Sequence, residues 1–249
     1  MKISATIITL NEERNIERCI RSLLPVVDEI VVLDAFSADR TVQMAKDLGA
    51  KVIQHEWLGY AASKNLLNEH ASFETIFSMD ADEALDTDLQ KSISELKTLP
   101  TLDAVYSVNR LTNYCGQWIY HSGWYPDVKV RIFPKSFVWS GEYVHEVLEI
   151  PEGWEEKLLP GHLEHYSYYN FKEHRERADK YSRLTALKHF KAGKRASVLK
   201  PIFSGIGRFV AMYFFKKGFL DGKMGFKIAW ISAQSNIYKY QELRRLQSE

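Results

Sequence analysis

The sequence predicts an α/β fold in which a parallel-sheet half-domain is followed by mixed strands and a helical C-terminal region. Over the first hundred residues, short β-branched runs alternate with helical periods, the signature of βαβ units. After about Pro100 the character changes to aromatic-rich extended segments broken by Gly and Pro, and from Asn170 onward it is helical again. The 249 residues, 45% hydrophobic and 26% charged, supply a core for one large domain or two small ones and lie far from a disordered composition.

Ile3 to Thr9 reads as a buried strand. Asn11 is a candidate N-cap with Glu12 and Glu13 in the first turn, and Ile16, Cys19, Ile20, Leu23 and Leu24 form an apolar stripe at helical spacing that ends at Pro25. Glu29 to Leu33 is a second strand, leading through Asp34 and a polar turn into a helix that Ser37 or Asp39 caps and Gly49 terminates. Lys51 to Gln54 and Thr75 to Met79 are two further strands, with a helix around Ala61 to Glu69 between them, completing a nucleotide-fold half-domain. Ala104 to Asn113, Trp118 to Trp124, Lys129 to Phe133 and Tyr143 to Ile150 are expected to add mixed or antiparallel strands. The expected organisation is a catalytic domain over residues 1–168 and a helical, basic C-terminal region over 169–249.

The formal net charge is only +1, which argues against a protein that wraps nucleic acid. That charge is unevenly distributed: from Ala186 to Gln241 eleven Lys/Arg face a single acid, Asp221, so this stretch carries +10 and the rest −9. Two cysteines, Cys19 and Cys115, are too few for a disulfide framework and lack zinc-site spacing. The N-terminus runs into Asn11-Glu12-Glu13-Arg14 without a small-residue cleavage site, and no uncharged apolar run approaches the roughly 20 residues of a membrane-spanning helix. A cytoplasmic setting is expected.

In open parallel sheets ligands bind at the carboxyl ends of the strands. Those ends carry Asn11-Glu12-Glu13, Asp34 and Asp80-Ala81-Asp82-Glu83, while the glycine fingerprints of dinucleotide and P-loop cradles are missing. In an extended segment residues i and i+2 point the same way, so Asp80 and Asp82 are candidates to share a hard divalent cation with diphosphate oxygens. A solvated turn or helix cap is the plainer alternative for a bare Asp-x-Asp.

With these residues in view, the sequence resembles a family 2 glycosyltransferase of GT-A fold. Ile7-Ile8-Thr9-Leu10-Asn11-Glu12-Glu13 opens the likeness, Asp34 to Thr41 follows the second strand, and Ser78-Met79-Asp80-Ala81-Asp82-Glu83 is the carboxylate motif. More narrowly it is similar to the lipopolysaccharide core β-1,4-glucosyltransferase group. That likeness rests on His55-Glu56-Trp57-Leu58-Gly59-Tyr60, Lys64-Asn65, Gly123-Trp124-Tyr125-Pro126-Asp127, Lys129-Val130-Arg131-Ile132-Phe133, Val144-His145-Glu146, His165-Tyr166-Ser167-Tyr168 and Gly218-Phe219-Leu220-Asp221-Gly222.

The resemblance implies that Asn11, Glu13 and Asp34 line a nucleoside pocket, that Lys64 reaches donor phosphate, that Asp80 reaches the donor sugar or ribose, and that Asp82 binds the metal, Mg²⁺ or Mn²⁺. Asp80 is a second candidate ligand, and His165 a third because some GT-A enzymes place a late histidine on the metal. Where many relatives carry Ser-Gly after the first Asp of the second motif, this chain has Ala35-Phe36.

An inverting transfer needs a general base at the acceptor hydroxyl. Glu146 is favoured over Asp127, with an ion pair to Arg131 as the structural alternative for Glu146, and Arg131 itself as a candidate to hold the base or a phosphate. His145, like His165, is either a ligand or a hydrogen-bonded structural histidine. Trp118, Tyr120, Trp124 and Tyr125 either stack on sugar faces or pack the sheet. Ile202, Phe203, Ile206, Phe209, Val210, Tyr213 and Phe214 fall at helical spacing among Arg208, Lys216 and Lys217, which suits either an amphipathic helix on an anionic bilayer or a helix completing the core.

The expected function is therefore a metal-dependent inverting transfer of a sugar, glucose by resemblance, from a UDP-sugar to a lipid-linked saccharide such as lipopolysaccharide core, at the inner face of the cytoplasmic membrane. The alternatives are a sugar-phosphate nucleotidyltransferase and a non-catalytic saccharide-binding protein at a membrane surface.

Overall fold

All seven residues of β1 (Ile3–Thr9) are buried, and the sheet is built outward from this strand. The structure is a computed structural model that describes residues 1–141 and 146–248. A strand covered on both faces needs no alternation of polar and apolar residues. Two of its interior hydroxyls find partners, Ser4 donating to Glu29 at 2.6 Å and Thr6 to Asn68 at 3.3 Å, while the buried Thr9 hydroxyl has none.

After β1 come α1 (Ile16–Leu23), β2 (Glu29–Asp34), α2 (Thr41–Asp47), β3 (Lys51–Gln54), α3 (Tyr60–Glu69), β4 (Thr75–Asp80), β5 (Glu83–Leu85) and α4 (Thr87–Leu96). Then follow β6 (Val105–Tyr114), β7 (Gln117–Ile119), β8 (Val128–Pro134), β9 (Trp139–Ser140), β10 (Val147–Leu148), β11 (Glu156–Tyr168), α5 (Phe171–Lys191), α6 (Lys200–Val210) and α7 (Gly222–Gln247). The main sheet has the order β3-β2-β1-β4-β8-β6-β11-β5, with β7 paired to β6 and a separate β9-β10 pair. Strands β1 to β4 are mutually parallel, β8 runs antiparallel to both β4 and β6, and β5 antiparallel to β11. This is the mixed α/β sheet followed by C-terminal helices that the sequence predicts.

The chain divides into two compact units, Met1–Arg110 with Asp127–Tyr166, and Leu111–Pro126 with Ser167–Glu249. In the first, period-two alternation sends Ile3, Ala5 and Ile7 into a core with Ile16, Ile20 and Leu23 of α1 and Leu89 and Ile93 of α4. Ile8, Val31 and Leu33 point the other way, onto Leu67 of α3. Two consequences set the functional edge. The parallel register places Asp34 opposite Thr9 and Asp80 opposite Ile8, so both acids flank the end of β1. In β8, Ile132 pairs with Tyr106 but Val130 with Ser107, which leaves Arg131 as an extra, bulged residue.

Several local expectations are corrected. Asn11 does not cap α1, which starts at Ile16. Asn11 adopts a left-handed backbone with φ of 55°, and its side chain accepts from Ala38 N at 2.8 Å. The segment Trp118 to Trp124 is a strand only as far as Ile119. The candidate His145 and the start of the strand expected over Tyr143 to Ile150 lie outside the described residues, and the described remainder is a strand only at Val147–Leu148. Strand β11 was not expected, because Pro160 and Gly161 interrupt its pattern. Gly161 has a φ of 96°, and a Cβ there would lie 2.2 Å from Leu89 N.

In the second unit, α7 packs against both α5 and α6. Small and polar residues make these contacts: Ser182 and Ser235 meet at 2.6 Å, Asn236 donates to Ser204 Oγ at 2.7 Å, and a Cβ on Gly205 would lie 2.4 Å from Ile237. Asp221, the lone acid of the basic stretch, is buried. It accepts from Tyr120 N at 3.2 Å, His121 N at 3.1 Å and Ser122 Oγ at 2.9 Å. Trp124 packs edge-on against Tyr114 and beside Tyr168 and His174, so this member of the aromatic cluster belongs to the core, whereas Tyr120 and Tyr125 form an edge-to-face pair with Tyr120 exposed.

His174 is buried, with Nδ1 2.8 Å from the Tyr114 hydroxyl, and burial, helped by Arg177, pulls its pKa down from 6.5 to about 4. Because the folded value lies below the unfolded one, the unfolded chain binds the extra proton first. The stability held above pH 6.5 is thus lost as pH falls toward 4. Urea denaturation followed from pH 7 to pH 4 should show a loss of up to about 3 kcal/mol from this group. His174→Gln should flatten that part of the slope, and an unchanged slope in the variant would place the proton uptake elsewhere.

Candidate functional site

At the carboxyl edge of β1, β2 and β4, the loops at 11–13 and 34–41 are stitched to each other. Asn11 N donates to Ser37 Oγ (2.7 Å), Glu12 N to Thr41 Oγ1 (2.8 Å) and Glu13 N to Asp39 Oδ2 (3.2 Å). The Glu13 carboxylate takes Arg40 Nε at 3.2 Å. Asp34 is fully buried at the base of the loop and accepts from Ser37 N at 2.9 Å, from the Ser37 hydroxyl, and from Gln54 Nε2 at 3.2 Å. Phe36, which stands where Gly was expected from the resemblance, has a φ of 60°, the left-handed conformation that Gly adopts freely, and its ring is exposed.

The turn after β4 carries the second half of the site. Asp80 N donates to Glu83 Oε2 at 2.9 Å, and the antiparallel β5-β11 register sets His165 opposite Glu83. That pairing continues as Tyr166 N to Asp82 O at 2.9 Å, and it brings His165 Nε2 to 3.2 Å from Asp82 Oδ2. Sequence reasoning nominated Asp82 and His165 as partners from positions 83 residues apart, and the fold brings them together. Among the described residues no group of three or more His, Cys, Asp or Glu is arranged to hold a metal alone. A hard cation at Asp82 and His165 would therefore complete its shell with ligand oxygens, and the carboxylate and imidazole present fit Mg²⁺ or Mn²⁺ on those terms. Asp80, the remaining candidate ligand, does not join them in such a group: its Oδ1 makes no hydrogen bond and faces Lys64 Nζ at 3.6 Å.

Asp80 belongs to a chain of alternating charges. Glu146 Oε1 lies 3.1 Å from Lys64 Nζ, which lies 3.6 Å from Asp80 Oδ1. Arg131 Nη2 takes Asp80 Oδ2 at 3.1 Å and also contacts Glu83, and Arg110 spans Glu83 at 3.6 Å and Asp127 at 2.7 Å. Lys129 closes the series on Asp127 at 3.0 Å. Lys64 is 4% exposed, its ammonium 4.6 Å from the Trp139 ring, and Asn65 fixes that tryptophan by two backbone hydrogen bonds of 2.8 Å. Arg131 thus holds Asp80 and Glu83, and the partner of Glu146 is Lys64.

The electrostatics follow from burial and these pairs. Burial opposes ionisation of Asp80, yet Lys64, Arg131 and Arg110 together hold its carboxyl well below the usual range. Burial pushes Glu83 up, against Arg131 and with Asp80 adding to the rise. Asp127 is drawn down by Arg110 and Lys129 despite its burial.

Glu83, Arg110 and Trp139 were not singled out from the sequence. The available signal was an acid at the head of the apolar run Glu83-Ala84-Leu85, a place where an unpaired charge is costly.

A family model described as "Glycosyl transferase family 2" matches residues 4–200. The chain is similar to an uncharacterized glycosyltransferase of Rickettsia typhi, 30% identical over 98% of this chain and 87% of that one. It is also similar to the lipopolysaccharide core biosynthesis glycosyltransferase LpsC of Rhizobium meliloti, 30% identical over 98% of this chain and 94% of that one. A structural likeness to glucosyl-3-phosphoglycerate synthase of Mycobacterium tuberculosis in complex with Mn²⁺ and UDP-glucose has a TM-score of 0.37 at 24% identity, covering 45% of this chain and 44% of that one.

The buried pairs predict a stability effect. Arg131→Met leaves two carboxylates without their shared cation and should cost about 3–5 kcal/mol in guanidinium denaturation at pH 7. Glu83 stripped of Arg131 can relieve the penalty by binding a proton, so the cost should shrink as pH falls toward 5. A loss under about 0.5 kcal/mol, the range of ordinary surface substitutions, would contradict the assignment.

Proposed function

The chain belongs to glycosyl transferase family 2 and is a glycosyltransferase, and we propose that it moves a hexosyl unit, glucose, from UDP-glucose to a lipid-linked saccharide, inverting the anomeric carbon. The observation that carries this reading is the turn after β4: Asp82 meets His165 there, two residues from an Asp80 that shares Lys64 with Glu146. The name of the Rhizobium relative supports a lipopolysaccharide-core acceptor. Such an acceptor places the reaction at the cytoplasmic side of the membrane, and no helix among the described residues is long and apolar enough to cross one.

In this reading Asn11, Glu13 and Asp34 wall the nucleoside, and their mutual stitching through Ser37, Ala38 and Arg40 pre-shapes the pocket before the donor arrives. Lys64 supplies the cation for donor phosphate. Arg131 occupies Oδ2 of Asp80, and Oδ1, which makes no hydrogen bond and has only Lys64 Nζ at 3.6 Å, is the oxygen that would meet the donor sugar or ribose. Asp82 and His165 would hold Mg²⁺ or Mn²⁺, which when bound offsets negative charge on the diphosphate.

Glu146 is the general base. Its carboxylate takes the proton of the acceptor hydroxyl, the acceptor oxygen bonds to the anomeric carbon from the face opposite the diphosphate, and the bond from that carbon to the diphosphate oxygen breaks, releasing UDP. Lys64 orients Glu146 from 3.1 Å. Asp127 is the poorer base, because Arg110 and Lys129 both engage it and hold its pKa low. Family membership gives no support to the nucleotidyltransferase alternative.

With Mn²⁺ and UDP-glucose, UDP release should be measurable and should collapse in Asp82→Ala. Glu146→Gln should keep donor affinity, read by calorimetry, while transfer to lipopolysaccharide core falls by about 10²–10⁴-fold. Near-normal transfer by Glu146→Gln would remove the base assignment, and no turnover with any nucleotide sugar would remove the proposal as a whole.

A further inference from the structure

In the second unit α6 is turned inside out relative to an ordinary amphipathic helix. Its small residues face inward, with Gly205 against Ile237 and Ser204 against Asn236, while Ile202, Phe203 and Ile206 are exposed. A helix normally buries its large apolar stripe, because each such side chain gains most from leaving water. Here that stripe is given to the surface, with Phe203 66% exposed.

The stripe does not end with the helix. It runs on through the π-helical turn Ala211–Phe215, where Phe214 is exposed and Phe215 is 82% exposed, to Phe219 and Leu220. The rings touch in series: Phe209 and Phe226 have centroids 5.7 Å apart, Tyr213 and Phe219 6.3 Å, and Phe226 stacks on Trp230 at 6.3 Å. Trp230 in turn lines an open cavity of about 370 Å³ with Phe171, Ile231 and the cationic Lys172, Arg175 and Lys227. A continuous apolar surface of this kind on a folded protein marks an interaction site.

Charge identifies the occupant. The stretch from 186 to 241 carries eleven cations and one acid, and that acid, Asp221, is buried in hydrogen bonds to the 120–122 turn. The solvent face of the stretch is therefore wholly cationic, with Lys200, Arg208, Lys216, Lys217, Lys223 and Lys227 exposed around the apolar residues. We propose that this face is a docking surface for an anionic lipid bilayer, in which Phe203, Ile206, Phe214 and Phe215 enter the headgroup–acyl boundary while the lysines meet lipid phosphates. An apolar insertion bordered by cations is how a helix binds in the interface plane without spanning it. A neutral surface would leave these cations uncompensated, and a protein groove would have to be both apolar and acidic-rimmed to match.

Sedimentation of the full-length protein with vesicles of 40% phosphatidylglycerol in phosphatidylcholine at low salt tests this. The protein should pellet with these vesicles, remain in solution with pure phosphatidylcholine, and release as salt rises. Phe203→Asp or Phe215→Asp should weaken binding at least tenfold, and replacing both Lys216 and Lys217 by Gln should weaken it about fivefold per lysine. All four sites are exposed, so thermal midpoints and UDP-glucose hydrolysis should stay at the wild-type level, which separates loss of docking from loss of fold or of activity. No pelleting, equal pelleting on neutral vesicles, or unchanged binding by the Phe variants would overturn the proposal. A concentration-dependent dimer abolished by Phe203→Asp would also overturn it, assigning the surface to a second copy of the chain.

Discussion

The turn after β4 depends on one buried carboxylate. Glu83 has no exposed side-chain surface, yet it caps the backbone N–H of Asp80, receives Arg131, and lies 3.6 Å from Arg110. A lone carboxylate in such a place would be prohibitive, and its penalty is offset only by cations and donors held in fixed positions. From that requirement the rest follows. Arg131 must reach inward, which the bulge in β8 allows, and once there it also fixes Asp80, while Arg110 passes the alternation on to Asp127. With Lys64 between Asp80 and Glu146, four acids and four bases, Lys129 included, form one connected set whose formal charge cancels. Electrostatic preorganisation of this kind sets side chains in place before a ligand arrives.

The two compact units solve their buried-polar problems differently. In the first, charges neutralise charges. In the second, Asp221 is satisfied by backbone and hydroxyl donors, and His174 by a tyrosine hydroxyl and aromatic faces, with burial favouring its uncharged form. A carboxylate cradled by N–H and hydroxyl groups draws on none of the Lys and Arg side chains of the basic stretch.

The sequence made legible what depends on local pattern. Continuous β-branched runs located β1 to β4, and the rule that ligands collect at the carboxyl ends of parallel strands then pointed to Asn11, Asp34, Asp80 and Asp82. Resemblance supplied Lys64, Glu146 and His165, and the fold brings Glu146 to 3.1 Å from Lys64 and His165 to 3.2 Å from Asp82. What stayed hidden was long-range or irregular. Glu83 meets Arg131, 48 residues away, and no spacing rule announces such a pair. Strand β11 carries Pro160 and Gly161, which read as breakers, because the need for glycine at 161 comes from close approach to Leu89 at the start of α4, a contact 72 residues away in the chain. The stripe on α6 was visible as a period, but its direction was fixed by Gly205 meeting Ile237 on another helix.

The bulge at Arg131 also makes chain length part of the chemistry. Between Asp127, held by Arg110, and Ile132, paired with Tyr106, β8 contains one residue more than regular pairing with β6 would use. Deleting any one of residues 128–130 would let Arg131 pair with Ser107 in a regular ladder and at the same time turn its side chain to the opposite face of the sheet. The more regular strand would strand Glu83, so here perfect β-structure and a working site are mutually exclusive.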